Sequence, residues 1–178
     1  MRGKAWNLAL LNFVGGICVL SSYVYGLATV HARNGALWGG VPADWQPVYT
    51  MSMFAAAIGY FPFTYFFLRG TDLDRARFAG GLGYGAIATF YALILFPSSM
   101  WLPLTIRMLE SPSAMLWFLI RLDLALVAIG SIGLVVAAAT LQPARSRAIR
   151  AAALIGLALF CLQTVVLDAI VWPALFPR

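Results

Sequence analysis

The sequence predicts an all-α integral membrane protein, a single domain built as a five-transmembrane-helix bundle. Two observations carry that prediction, and an elementary constraint completes it. Five apolar runs divide the 178-residue chain, each close to the ~20 residues a helix needs to cross a ~30 Å hydrocarbon core. Hydrophobic residues make up 62% of the chain and charged ones 10%, which leaves too little polar surface to cover a soluble particle of this size. Backbone groups in lipid must bond within the structure, and the runs are far longer than barrel strands, so helices are expected.

The first span is read as Leu8–Val30. A secretory signal peptide is the competing reading, because Met1-Arg2-Gly3-Lys4 is basic and Val30-His31-Ala32 suits a signal peptidase. The apolar stretch is longer than a typical signal core, so a retained first helix is expected. The second span is read as Tyr49–Leu68, with Pro62 as a mid-span kink whose freed carbonyl is satisfied by neighbours. Phe78–Phe96 is read as the third. It opens with Gly80-Gly81-Leu82-Gly83-Tyr84-Gly85, placing Gly81 and Gly85 at the G-x-x-x-G spacing that lets helices approach closely, within the bundle or across a homodimer axis. Arg75-Ala76-Arg77-Phe78, running on to Leu82, fits a loose cholesterol-contact pattern. Ser113–Leu141 and Ala148–Trp172 are the fourth and fifth spans.

Charge orders the connections. Arg2 and Lys4 precede span one, Arg69, Arg75 and Arg77 follow span two, and Arg145, Arg147 and Arg150 follow span four. The alternate connections hold little: Arg33, Arg107, and Arg178 at the end. The positive-inside rule then predicts a cytoplasmic amino terminus and an outer carboxyl terminus, and a bacterial inner (cytoplasmic) membrane is the expected location. On this reading the net charge of +6 reports orientation rather than a nucleic-acid partner.

The two outer connections are long. His31 to Val48 contains Trp38, Gly39, Gly40, Pro42, Trp45 and Pro47, and Pro97 to Pro112 contains Trp101, Pro103, Arg107 and Glu110. Interfacial belts account for single tryptophans, yet loops of this length are often functional. Leu102–Leu109 is expected to lie along the membrane surface as a short amphipathic helix.

Ionisable groups inside spans are the sharpest signals, since a central charge costs about 2.5–3.5 kcal/mol even on gentle insertion scales. Arg121 and Asp123 lie about two turns into span four, and Asp168 roughly one turn from the outer end of span five. Positions two apart point in nearly opposite directions, so Arg121 and Asp123 must face different neighbours. Depth alone makes Arg121–Asp168 the expected ion pair, with a helix clamp or snorkelling as the structural explanation. Asp123 would then point inward without a basic partner, at the bottom of an outward-facing cavity.

No catalytic set assembles. His31 is the only histidine, so neither bis-histidine haem ligation nor a multi-histidine metal centre is available within one chain. Cys18 and Cys161 sit in mid-span without a C-x-x-C motif, where a small apolar role is expected. Gly130-Ser131-Ile132-Gly133 has hydrolase-like spacing, but small residues at a helix contact explain it better than a nucleophile without a base. No motif requires a cofactor.

Trp45-Gln46-Pro47-Val48-Tyr49-Thr50, at the entry to span two, is similar to a W-x-x-P-V-W-T-like segment. With five spans and a first loop bearing tryptophan and proline, it resembles the translocator protein family, also called tryptophan-rich sensory proteins. Leu122-Asp123-Leu124-Ala125-Leu126 looks like that family's helix-four segment. Val166-Leu167-Asp168-Ala169-Ile170-Val171-Trp172 looks like the end of its helix five, with aspartate for asparagine. The first loop departs from the family, as does Tyr91 to Pro97, which lacks the asparagine and tryptophan usual there. The resemblance implies a cavity under the first loop for flat apolar ligands such as porphyrins or sterols, often in a homodimer. Trp45 and Tyr49 would supply ring surfaces at its mouth, Asp123 and Asp168 polar groups, and Trp172 a closing ring. Independently of family, an apolar pocket with a few convergent polar groups suits a small molecule, and Trp101 and Arg121 join the candidate ligand-binding set. A non-catalytic subunit packing against other membrane subunits is the second reading. A small transporter or lipid-modifying enzyme is the third, although an odd span number offers no obvious inverted repeat.

Overall fold

The computed structural model describes residues 3–29, 34–143 and 146–177. Within them lie five helices long and apolar enough to cross a membrane: α1 (Gly3–Thr29), α2 (Gln46–Leu68), α3 (Tyr84–Glu110), α4 (Ala114–Thr140) and α5 (Arg147–Leu175). Pro47 sits in the first turn of α2, where a missing N–H is harmless. Ser113 and Ser146 cap α4 and α5, their hydroxyls accepting from the Leu116 and Ile149 amides at 3.1 and 3.4 Å. Short 3-10 turns cover Asn34–Trp38, Ala43–Trp45 and Ala79–Gly81.

Span three is displaced from its expected position. The helix begins at Tyr84 instead of Phe78 and continues through Pro97 and Pro103 to Glu110. Prolines usually end a helix where water can take up the freed carbonyls, but a chain bordered by lipid keeps its remaining backbone bonds inside the helix. Leu102–Leu109 is therefore the last part of α3 rather than a separate surface helix, and Trp101 lies on α3 instead of in a loop. The third connection shrinks to residues 111–113. Residues 69–83 form the longer connection, in which Gly80 and Gly81 adopt φ of +78° and +103°. Such backbone suits glycine and excludes a helix, so Gly81 and Gly85 do not share a helical strip.

Neighbouring helices follow the order α1, α3, α4, α5, α2, and α1 scarcely touches α2. Small residues set the closest approaches. A Cβ at Gly59 would stand 2.7 Å from the Gly156 carbonyl oxygen, so α2 and α5 meet backbone to backbone. Gly130 faces the Phe90 carbonyl of α3 in the same way, and Gly133 faces the Phe90 ring. Ser131 donates to Val127 O at 2.7 Å and accepts from Thr164 Oγ1 at 3.0 Å, a hydrogen bond joining α4 to α5. The segment is a helix contact, as its small residues suggested.

Two apolar clusters fill the bundle. The larger includes Leu8, Phe63, Phe67, Tyr91, Leu134 and Leu157. At its end of the molecule the basic segments gather. Lys4 pairs with Asp74 at 3.1 Å, Arg77 and Gln142 exchange backbone hydrogen bonds at 2.8 and 2.9 Å, and the Arg150 guanidinium donates to Leu141 O. The alternation expected from charge thus has a structural counterpart, while Arg2, His31, Arg33, Arg145 and Arg178 lie outside the described residues. The second cluster, at the opposite end, contains Tyr49, Met108, Ile120, Leu124 and Trp172.

Candidate functional site

All five long helices and the first connection bring aromatic rings together at that second end. Trp172 on α5 is 5.8 Å from Trp101 on α3 and 6.2 Å from Trp117 on α4, centroid to centroid. Trp117 stacks on Phe176 at 5.2 Å, and Tyr23 of α1 stacks on Trp101 at 6.2 Å. Trp38, in the first connection, meets Tyr49 edge-on at 6.2 Å. The connection folds over these rings: Trp172 Nε1 donates to Leu37 O at 3.1 Å, and a Cβ at Gly39 would lie 2.8 Å from the Phe176 ring. Gly40 packs directly on the Leu175 carbonyl. Only residues without a side chain let the loop come this close to the end of α5.

Beside the rings lies the polar group of the bundle. Asp123 is 7% exposed, and its Oδ2 has no hydrogen-bond partner among the described residues. Asp168 is half-buried and accepts from Gln163 Nε2 at 2.7 Å, while the Oε1 of Gln163 is buried without a partner. Tyr23 stands within electrostatic reach of both carboxylates, and Tyr49 of Asp168.

Gln163 and Asp168 meet because α5 widens. Leu162–Val171 is π-helical, with Arg147–Cys161 before it and Trp172–Leu175 after it as α-helix. Residues five apart stand roughly 140° apart around an α-helix, whereas the wider π turn, bonded i to i+5, places them on one side. Tyr49 anchors the widened segment from α2, its hydroxyl donating to Leu167 O at 3.0 Å.

The expected site residues divide accordingly. Tyr49, Trp101, Asp123, Asp168 and Trp172 converge. Trp45 does not: it precedes the first turn of α2, 53% exposed, and Trp38 supplies the ring against Tyr49. Arg121 is exposed and enters no ion pair among the described residues, so the Arg121–Asp168 pair is not formed. The ~200° between positions two apart that buries Asp123 turns Arg121 out of the bundle, where a long side chain can run to the interface. Asp168 takes an amide as its partner instead.

Tyr23, Gln163, Trp117 and Phe176 also belong to the site, although sequence reasoning passed over them. Gln163 carried a usable signal, as an amide in an otherwise apolar run near Asp168. The two cysteines are free, and no group of three or more metal-ligating side chains occurs among the described residues. Compared with known proteins, the chain matches no family model, no curated protein and no solved structure.

Proposed function

We propose that the chain is a multi-pass protein of a cytoplasmic membrane, with its basic end on the cytoplasmic side, and that it binds a small, largely apolar molecule bearing a flat ring system. One observation carries the binding reading: rings from three helices meet under a folded loop, in a bundle that also buries a carboxylate oxygen and an amide oxygen without partners among the described residues. Aromatic faces favour planar ligands, and a few convergent polar atoms fix a ligand's orientation. The resemblance of its sequence segments to translocator proteins speaks for the same ligand class, porphyrins or sterols, and the positive-inside rule would put the loop-covered end on the outer side.

Protoporphyrin titrated into the purified protein in zwitterionic nanodiscs tests the reading through tryptophan fluorescence. Saturable quenching is expected, about tenfold weaker in affinity for Trp101→Ala and unchanged for Trp45→Ala. Quenching that rises linearly with porphyrin, as in empty nanodiscs plus free tryptophan, would refute it.

A second reading, as a non-catalytic subunit of a larger membrane complex, is favoured by α1. This helix packs mainly on α3 and leaves Trp6, Phe13, Leu20, Val24 and Tyr25 exposed. Native mass spectrometry after gentle extraction decides between them: a foreign subunit held in fixed stoichiometry supports the accessory role, and its absence opposes it.

A further inference from the structure

The end of the molecule opposite the ring cluster carries positive charge that the protein leaves unanswered. Lys4, Arg69, Arg75, Arg77, Arg147 and Arg150 belong to it, with Asp72 and Asp74 as its carboxylates. Asp74 pairs with Lys4 at 3.1 Å and Asp72 Oδ1 accepts from the Asp74 amide, while none of these arginines enters an ion pair among the described residues. Three of them surround the junction of α2 and α5. Arg69 follows the last residue of α2, and a Cβ on its neighbour Gly70 would lie 3.2 Å from Ile149 Cγ2 in the first turn of α5. Arg147 opens α5 and Arg150 stands one turn later, so they flank Ile149 in the sequence. Arg69 and Arg147 are exposed, whereas Arg150 is half-buried, its guanidinium donating to Leu141 O and its Nε enclosed without a partner. No acidic residue occupies the first turn of α5, where cations also oppose the helix dipole. What is missing at this corner is an anion.

Apolar faces lead to the same arginines. On α2, Ile58, Phe61 and Tyr65 are exposed at helical spacing, with Arg69 next in the series. On α5, Ala151, Ile155 and Leu159 follow Arg147 at every fourth residue, all of them exposed. A soluble anion would answer the charge and leave these faces unused, whereas a phospholipid uses both. We propose that this corner binds an anionic phospholipid, with its phosphate among Arg69, Arg147 and Arg150 and its acyl chains along the exposed faces of α2 and α5. The proposal needs only that the chain spans a bilayer, and it is independent of the small-molecule reading. Basic groups between helices at the cytoplasmic side recognise anionic headgroups, and the guanidinium fork suits phosphate oxygens. Arg150, fixed on Leu141 O, is the anchored charge, and the exposed Arg69 and Arg147 can turn onto the phosphate.

Native mass spectrometry of the protein in mild detergent, titrated with phosphatidylglycerol or with phosphatidylcholine of the same acyl chains, reads lipid occupancy directly. One phosphatidylglycerol should bind the wild type at least about fivefold more tightly than phosphatidylcholine, and Arg69→Gln and Arg147→Gln should each weaken it about fivefold. Both side chains are exposed, so these variants keep the fold, and Arg150 is left in place because it bonds Leu141 O. Arg75→Gln is the charge-matched control: it lies at the same end, next to the Asp74 that pairs with Lys4 of α1, and should change binding by less than about twofold. Equal occupancy by the two lipids in the wild type overturns the proposal without any variant. Weakening by Arg75→Gln as large as that of the other two would mean diffuse attraction to a basic surface and overturns the site. Binding of glycerol 1-phosphate as tight as that of phosphatidylglycerol would mark a site for soluble anions and overturn the lipid assignment.

Discussion

Replacing Gly156 by alanine should loosen the bundle, because α2 and α5 approach there through their backbones. A Cβ at this position would collide with the Gly59 carbonyl oxygen and lie 3.1 Å from both the Gly59 carbonyl carbon and Pro62 Cγ. None of these is the free end of a flexible side chain, so relief requires the helices to move apart. Overpacking of this kind costs typically ~1–3 kcal/mol, and contact with backbone argues for the upper part of that range. Alanine is a better helix former than glycine by about 1 kcal/mol, which offsets part of the loss. A net destabilisation of about 1–2 kcal/mol follows. Gly16 of α1 supplies the control, since nothing lies within 4 Å of its would-be Cβ. Gly16→Ala keeps only the propensity gain and should be neutral or stabilising by up to ~1 kcal/mol. Reversible unfolding in mixed micelles, with sodium dodecyl sulfate as denaturant, measures both. Equal stability of Gly156→Ala and Gly16→Ala would mean that α2 and α5 do not meet at these glycines.

Other predictions concern the same seam and the ionisable groups. Thr164→Val removes the hydroxyl that bridges to Ser131 Oγ at 3.0 Å. Hydrogen bonds between membrane helices average about 0.6 kcal/mol, so a loss of ~0.5–1.5 kcal/mol is expected in the same unfolding assay, and little further loss on adding Ser131→Ala. Arg121→Gln should change unfolding free energy by less than ~0.5 kcal/mol, because the side chain is exposed and in no ion pair among the described residues. A loss of several kcal/mol would instead restore it to a buried ion pair. Cysteine-accessibility mapping of tags on the two termini of intact cells should find them on opposite sides of the membrane. Finding both on one side would contradict five crossings.

The number of helices long and apolar enough to cross a membrane was legible, because such a helix needs about twenty apolar residues in a row and charged loops interrupt the runs clearly. The boundaries of α3 were not. Pro97 reads as a stop under rules learned from water-exposed helices, and the glycines at 80 and 81 read as helix contacts until their positive φ is known. The inward direction of Asp123 followed from simple helical geometry, since Arg121 and Asp123 cannot both be buried on one face. The ion pair failed for a related reason: similar depth in two antiparallel helices does not establish that the side chains face each other. Trp38 and Trp45 are chemically equivalent in the sequence, and only the fold of the first connection selects Trp38. The convergence of Gln163 with Asp168 was hidden most deeply, because a spacing of five separates residues in an ordinary helix.

That widened turn explains how one segment holds so many polar groups. A π-helical stretch is rare, occurs most often as a single turn, and is found frequently at functional sites. Here it covers ten residues and carries Gln163, Thr164 and Asp168 within a helix otherwise rich in aliphatic side chains. Thr164 ties the stretch to α4 through Ser131, and Tyr49 ties it to α2 through Leu167 O. Its two flanks are thereby fixed to different helices, while Gln163 and Asp168 bond to each other and leave an acceptor unsatisfied. Groups that served only to clamp helices would be expected to spend their hydrogen bonds across the interfaces, as Thr164 and Tyr49 do. Gln163 and Asp123 instead keep buried acceptors without a partner among the described residues, and the proposed binding role builds on that contrast with Thr164 and Tyr49.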